Sequence, residues 1–483
     1  MKKSSKPKII IIVAALTAAG ILGVFIAPSV PIFFGRRAFK AKEWKPRYDG
    51  FVTVNGDKLM LGGEEFRFIS FNVPNLHIIE DPYWHLPTEF EQEDAVKTVK
   101  EMGGRVIRIY TLSVISDKDA EKRGSVTDSH IKGVNGELHF NEEYFAVYDR
   151  MLDIAARHDI KLILPILDNW DWFGGKKAFA SISGNTREEF YTGEAVRANY
   201  KKVVDYLLNR VNTVNGKVYK EDPAILCWEL GNELRGITKE WKNEMSAYIK
   251  SIDPDHLIMD GEDKVTQSGL ASETIDILTA HFYPGSINYA RRARQQRRYT
   301  KGVKPLVIGE FGLAPTENMS KMVDEVVSNG TSGALIWSLR FRSKAGGFYY
   351  HTDSNKYVNS GSYHFPGFAE NASYDEIAVM LMMRNAAFKI QGKEIPPTSA
   401  PSPAPVLRLV DGGLSWRGST GATFYQVLYS PDGDNWDYLD IMPKDIRKNA
   451  PLFRPDAEGW YIIRAANSEG CSEWSDEVYW AGE

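Results

Sequence analysis

Eight short apolar runs, bounded by turn residues and separated by helical periodicities, recur between residues 66 and 337, and this alternation constrains the fold more than any other feature. The runs lie at 66–72, 106–110, 162–167, 225–229, 257–260, 277–281, 306–309 and 334–337. Apolar residues recur at helical spacing over 90–102, 144–158, 195–211, 241–252, 287–299, 319–328 and 374–390, with the weakest pattern between the fifth and sixth runs. Strands joined through helices pair in parallel, because each helix returns the chain to the same edge. Eight such units over roughly 350 residues predict an α/β fold, a (β/α)8 TIM barrel whose active site sits at the carboxyl ends of the strands. A hairpin turning at Asn55-Gly56 precedes the first strand.

Two of these runs lead into a glutamate at the strand's end. Glu233 closes Ala-Ile-Leu-Cys-Trp-Glu-Leu-Gly-Asn-Glu, and Glu310 lies in Pro-Leu-Val-Ile-Gly-Glu-Phe-Gly. An ionisable group at the end of an apolar strand costs desolvation energy unless it reaches the strand's mouth. Two such groups at one barrel mouth suit a reaction that needs a nucleophile and a proton donor on either side of a glycosidic bond. Glu229 shares the strand parity of Glu233 four residues deeper, which predicts a buried, hydrogen-bonded structural role. Asp168 ends the third strand and is placed to orient the loop after it.

The flanks read as separate pieces, giving a division into 1–44, 45–392, 393–405 and 406–483. Lys2, Lys3, Lys6 and Lys8 precede an uncharged stretch from 9 to 34, long enough to span a bilayer. It predicts an uncleaved anchor holding the protein at the cell surface; the rival is a signal peptide removed on secretion, for which no Ala-x-Ala site closes the run. Arg36, Arg37, Lys40, Lys42 and Lys45 put comparable positive charge on the other flank. Near the other end, prolines at 396, 397, 401, 403 and 405 predict a stiff extended linker. Short alternating segments then predict a small all-β sandwich with Trp416, Tyr425 and Tyr461 in its core, a spacer or stabilising module similar to fibronectin type III.

Asn169-Trp-Asp-Trp-Phe-Gly-Gly175, Phe190-Tyr-Thr, Trp228-Glu-Leu-Gly-Asn-Glu233, His281-Phe-Tyr283-Pro and Gly309-Glu-Phe-Gly312 resemble, in order, glycoside hydrolase family 5, and within it the endo-β-1,4-mannanases. The resemblance spans about residues 45 to 392 and implies a retaining mechanism, with Glu233 as acid/base, Glu310 as nucleophile and mannan-type polysaccharide as substrate. The acid then needs its pKa raised, while Glu310 must stay ionised, with Arg108 and Tyr283 as its donors. Asn232 is expected to bond the sugar 2-hydroxyl, Trp337 to floor the cleavage subsite and His281 to orient a neighbour. Trp170 and Trp172, on a loop ending in Gly174-Gly175 as a flexible end, are expected to stack on sugar. Asn72, ending the first strand, completes the substrate-binding set with Arg108, Asn232, His281, Tyr283 and Trp337. Two departures stand out: Leu234-Arg-Gly follows the acid where these mannanases usually place a proline, and 337–351 is unlike the shorter end of fungal members.

A net charge of −4, from 59 basic and 63 acidic residues, gives no field for nucleic acid. The run Arg291, Arg292, Arg294, Arg297 and Arg298 falls on one predicted outer helix and reads as a solvated face. His77, His85 and His130 lack metal-ligand spacing, so neither metal nor cofactor is expected. The two cysteines, Cys227 and Cys471, fall in different predicted domains and are not expected to pair. A monomer is expected. Two rivals keep the fold: a β-1,4-glucanase, and a surface carbohydrate-binding protein without turnover, which would have no need of both glutamates.

Overall fold

The computed structural model describes residues 39, 41–42, 45–80, 84–117, 128–284, 288–354, 359–371 and 374–482. Eight parallel strands, β1 (Phe68–Asn72), β2 (Val106–Arg108), β3 (Lys161–Asp168), β4 (Ile225–Asn232), β5 (Leu257–Met259), β6 (Leu278–Phe282), β7 (Leu306–Phe311) and β8 (Gly333–Ile336), lie side by side in the order β5-β4-β3-β2-β1-β8-β7-β6. The ends of that sheet meet through one parallel bridge, Met259 to Ile277, which closes the barrel. Carboxylates supplement the ladder at this seam: Asp276 accepts from the Ile258 N–H at 2.9 Å, and Asp260 accepts from the Thr279 N–H at 3.0 Å. All eight strands are buried along their length, as expected of a parallel sheet covered on both faces.

Helices α1 (Glu89–Glu101), α2 (Glu142–Arg157), α3 (Glu194–Asn209), α4 (Lys239–Ile252), α5 (Gln267–Ala271), α6 (Tyr289–Thr300), α7 (Thr316–Asn329) and α8 (Glu376–Ile390) follow the strands in turn. Their starts are set locally. Thr88 and Glu91 form a capping box on α1, and the Thr238 and Asp375 side chains cap α4 and α8. The weak pattern between the fifth and sixth strands corresponds to α5, only five residues long. The antiparallel pair Thr53–Asn55 and Lys58–Leu61 seals the amino-terminal end, Val54 and Leu59 packing on Phe68, Val106, Ile163 and Val307.

Several elements were not anticipated. Strands Val114–Ser116, Ile131–Val134 and Glu137–Phe140 form a small sheet after β2, turning at Asn135-Gly136, where both residues have positive φ. A helix at Gly175–Ile182 follows β3. The arginine run is less solvated than expected: on α6, Arg297 pairs with Asp57, Arg294 with Glu325, and Arg292 covers the Phe282 ring at 4.9 Å. His77 and His130 are buried structural residues, bonded to the Thr111 carbonyl and the Ser113 hydroxyl.

The carboxyl-terminal strands are β9 (Val406–Val410), β10 (Gly413–Arg417), β11 (Phe424–Ser430), β12 (Asp437–Tyr438), β13 (Gly459–Asn467), β14 (Gly470–Cys471) and β15 (Val478–Trp480). β9 pairs with β10, while β12, β11, β13, β14 and β15 form a second antiparallel sheet. Between the sheets lie Leu414, Trp416, Tyr425, Val427, Tyr461 and Ile463. The proline-rich stretch is not a free spacer: Glu101 accepts from the Ser399 N–H, Arg384 donates to the Pro396 carbonyl, and Asn467 donates to the Ser399 carbonyl. Cys227 and Cys471 are both free thiols. Among the described residues no helix is long and apolar enough to cross a membrane, and the stretch 9–34 lies outside them.

Candidate active site

Parallel register brings the site together. β1 sets Asn72 beside Arg108 on β2, β3 sets Asp168 beside Asn232 on β4, and β6 sets His281 beside Glu310 on β7. Glu233, one residue past β4, has φ of 50°. A non-glycine residue in the left-handed region is strained, and such strain clusters where function fixes the side chain's direction.

Arg108 is the hub. Nε and Nη2 donate to the two oxygens of Glu229 at 2.7 and 3.0 Å, Nη1 to Glu310 at 2.8 Å and Asn72 at 3.2 Å, and Nη2 also to Asn232 at 2.8 Å. All five guanidinium protons are thereby directed at protein, and the side chain is fully buried. Arg108 was expected both to donate to Glu310 and to bind substrate; it does donate to Glu310, but no donor is left for substrate, and it fixes Asn232 as well. Asn72 is corrected in the same way. It is completely buried, its amide donating to the Gly309 carbonyl at 2.9 Å while its oxygen accepts from Arg108. A residue ending a barrel strand one layer below the mouth meets other strands before it meets a ligand.

Above this layer His281 lies between the two glutamates, its Nδ1 at 3.0 Å from Glu233 and 3.3 Å from Glu310. Its ring fits because Gly309 has no side chain: a Cβ there would stand 2.7 Å from the His281 Nε2. The Tyr283 hydroxyl donates to Glu310 at 2.6 Å. Burial favours the neutral form of Glu310, but the charge and hydrogen bond of His281, with Arg108 and Tyr283, outweigh it and hold the carboxyl down to about 2. Burial likewise opposes charge on His281, and the Glu310 and Glu233 carboxylates push it up to about 10.

The second oxygen of Glu233 accepts from the indole N–H of Trp170 at 2.8 Å. Trp170 was expected only to stack on sugar; it also holds the acid candidate, and the Arg235 guanidinium lies 4.7 Å over its ring. Arg235 belongs to the Leu-Arg-Gly departure noted after Glu233. Asn232 donates to Asp168 at 3.1 Å, and Tyr110 donates to the other Asp168 oxygen at 2.8 Å. Burial pushes Asp168 up to about 7, against the hydrogen bonds of Asn232 and Tyr110.

The open space above is a cleft of about 410 Å³ walled by Tyr110, Trp170, Trp172, Phe173, Trp337 and Arg340, with Glu80 and His351 among its further lining. Trp170 is 38% and Trp172 51% exposed, whereas Phe173 beside them is buried. Gly174-Gly175 is a tight junction, in contrast to the expected flexible end: a Cβ on Gly174 would stand 2.0 Å from the Val114 carbonyl oxygen, and one on Gly175 1.9 Å from that of Trp170. Tyr110 and the buried Arg340–Glu80 ion pair at 2.8 Å were missed. Position 110 ends a predicted strand run and could have been found by parity; the ion pair joins loops 260 residues apart and left no sequence signal. Glu233, His281 and Glu310 each bring a ligand atom within 4.8 Å of the others, a spacing that could hold a metal ion.

A family model described as GH family 5 beta-mannosidase-like matches residues 49–327, more than half of the chain. The chain belongs to glycoside hydrolase family 5. Mannan endo-1,4-beta-mannosidase 1 of Arabidopsis thaliana is 28% identical over 319 residues, covering 54% of this chain and 72% of that relative. Putative mannan endo-1,4-beta-mannosidase 4 of the same plant is 30% identical over 356 residues, 63% of this chain and 78% of its own. Among solved structures, the endo-1,4-beta-mannanase of Rhizomucor miehei superposes with a TM-score of 0.57 at 22% identity, over 71% of this chain and all of that one. The endo-beta-1,4-mannanase of Thermotoga petrophila gives 0.56 at 22%, over 86% of this chain and 98% of its own. These two carry the fold, and the family 5 barrel is the shared frame.

Proposed function

We propose that this family 5 protein is a retaining endo-β-1,4-mannanase in which Glu310 is the nucleophile and Glu233 the acid and base. The observation that carries the reading is that the two glutamates meet across one imidazole, the His281 Nδ1 lying 3.0 Å from an oxygen of Glu233 and 3.3 Å from one of Glu310, a close pair. Retaining pairs stand about 5–5.5 Å apart, whereas inversion needs about 6.5–9.5 Å to admit a water. Glu310, kept ionised by Arg108, Tyr283 and His281, attacks the anomeric carbon as Glu233 protonates the departing oxygen. Trp170 and His281 then hold the carboxylate left on Glu233 in place, and it takes a proton from the water that releases the sugar. The related plant and fungal proteins named for mannan support that polymer over β-1,4-glucan.

The test is incubation with galactomannan, glucomannan and carboxymethylcellulose, with proton NMR of the first anomer released. Mannan-containing polymers cut to β-configured ends are expected. Preferential cleavage of carboxymethylcellulose would shift the reading to a glucanase, and α-configured first products would overturn the nucleophile. Glu310→Ala should abolish turnover on every polymer. The uncharged stretch 9–34 after a lysine cluster supports a surface anchor, and the pairing of β9 with β10 opposite the β12-β11-β13 sheet supports a fibronectin type III-like module.

A further inference from the structure

The loop after β8 supplies Trp337, Arg340, His351 and Thr352 to the cleft, and its opposite side rests on the carboxyl-terminal sandwich. Arg342, two residues from Arg340, is fully buried at that junction. Its backbone N–H and Nη1 donate to Asp94 of α1 at 2.8 and 3.3 Å. Nε donates to Asp445 of the sandwich at 2.9 Å, and Nη2 to the Ala422 carbonyl at 3.1 Å. Asp94 also accepts from the Thr420 hydroxyl at 2.6 Å, and Tyr425 donates to Asp445 at 2.9 Å. One guanidinium thus ties barrel helix, cleft loop and sandwich into a single node.

Contacts around this node leave the loop little freedom. Arg417 of β10 lies 4.1 Å over the Phe90 ring of α1. Gly347 approaches the sandwich so closely that a Cβ would stand 2.0 Å from the Asn449 carbonyl oxygen. Arg447 pairs with Glu376 at the start of α8, and Glu376 in turn bonds His364, whose other nitrogen meets the Tyr349 carbonyl. Tyr349 donates to Glu91 of α1, two residues before His351 in the wall. A buried guanidinium that lost one carboxylate would keep its charge without full compensation, so breaking the node is costly.

We propose that the sandwich is a working part of the catalytic unit, and that Arg342, clamped by Asp445 from behind, is a positioning residue that holds the 338–352 wall for polymer binding. The proposal rests on the reading of this cleft as the polymer site. It separates wall from chemistry, because Glu233 follows β4, Glu310 stands on β7, and none of the node's bonds above reaches either.

Asp445→Ala in the full chain tests it, through KM and kcat on galactomannan together with thermal melting. KM should rise roughly five- to tenfold with kcat held within about twofold, as when binding that does not change in the transition state is removed. An unchanged KM in a folded variant overturns the proposal. So does a fall in kcat at unchanged KM, the signature of a smaller folded fraction. Should Asp445→Ala not fold, Asp445→Asn, which keeps the shape and removes the charge, is expected to move KM in the same direction by a smaller factor, and an unmoved KM there overturns the proposal equally. If the wild type cuts β-1,4-glucan instead of mannan, only the substrate reading fails, and the same comparison is made on that polymer.

Discussion

The imidazole of His281 adds both a charge and a hydrogen bond to Glu310, beside those of Arg108. His281→Gln keeps a donor and removes the charge. The carboxyl of Glu310 then rises from about 2, and the acid limb of the kcat/KM profile should move to higher pH, readable across pH 2 to 7. Asp168 behaves in the opposite sense. Its pKa is raised to about 7 when folded, so its stabilising contribution is complete below the ordinary carboxylate value and lost as pH rises through about 7. Relative to Asp168→Asn, wild type should therefore lose melting temperature as pH rises from about 4 to 7. The two tryptophans should separate kinetically. Trp170→Phe loses the N–H on Glu233, a hydrogen bond to a charged group worth about 1.5–3 kcal/mol, and should lower kcat more than tenfold. Trp172→Ala should raise the KM for polymer by the equivalent of about 1 kcal/mol with kcat nearly unchanged.

The loop from Asn169 into the helix Gly175–Ile182 is held by its glycines. Gly175→Ala should cost about 2 kcal/mol or more in urea unfolding, since the residue has φ of 51° and its new Cβ would meet the Trp170 carbonyl. The same change should raise KM, because it displaces the two indoles. Elements of this kind divide what a sequence discloses from what it hides. The ends of β4 and β7 were legible because a buried parallel strand is a continuous apolar run, and a carboxylate at its end is conspicuous. Asn135-Gly136 was an overlooked hairpin signal flanked by alternating residues. Arg108 was legible as a donor to Glu310, but its remaining bonds and the role of Asn72 could not be read, since they depend on which five acceptors surround one guanidinium, and those acceptors come from β1, β4 and β7. Trp170 was placed on its loop correctly, but the direction of its N–H is a matter of rotamer.

At the scale of the molecule, barrel and sandwich share the buried Arg342 node and a packed connecting stretch, where the sequence suggested beads on a stiff thread. Calorimetry on residues 41–483 should accordingly show one cooperative transition; two resolved transitions would mean that the junction contributes little. The barrel's own closure has a further consequence. Seven of its eight joints are ladders of two or more residue pairs, and the joint between β5 and β6 is a single bridge assisted by Asp260 and Asp276. In a ring, any slack at one joint lengthens the whole circumference, and Glu310 stands on, and Glu233 just past, the two strands that flank this joint's pair. Opening there would move them apart, so the two aspartates act as a hasp on the hoop, and the spacing of the two glutamates is kept by side chains buried in the seam.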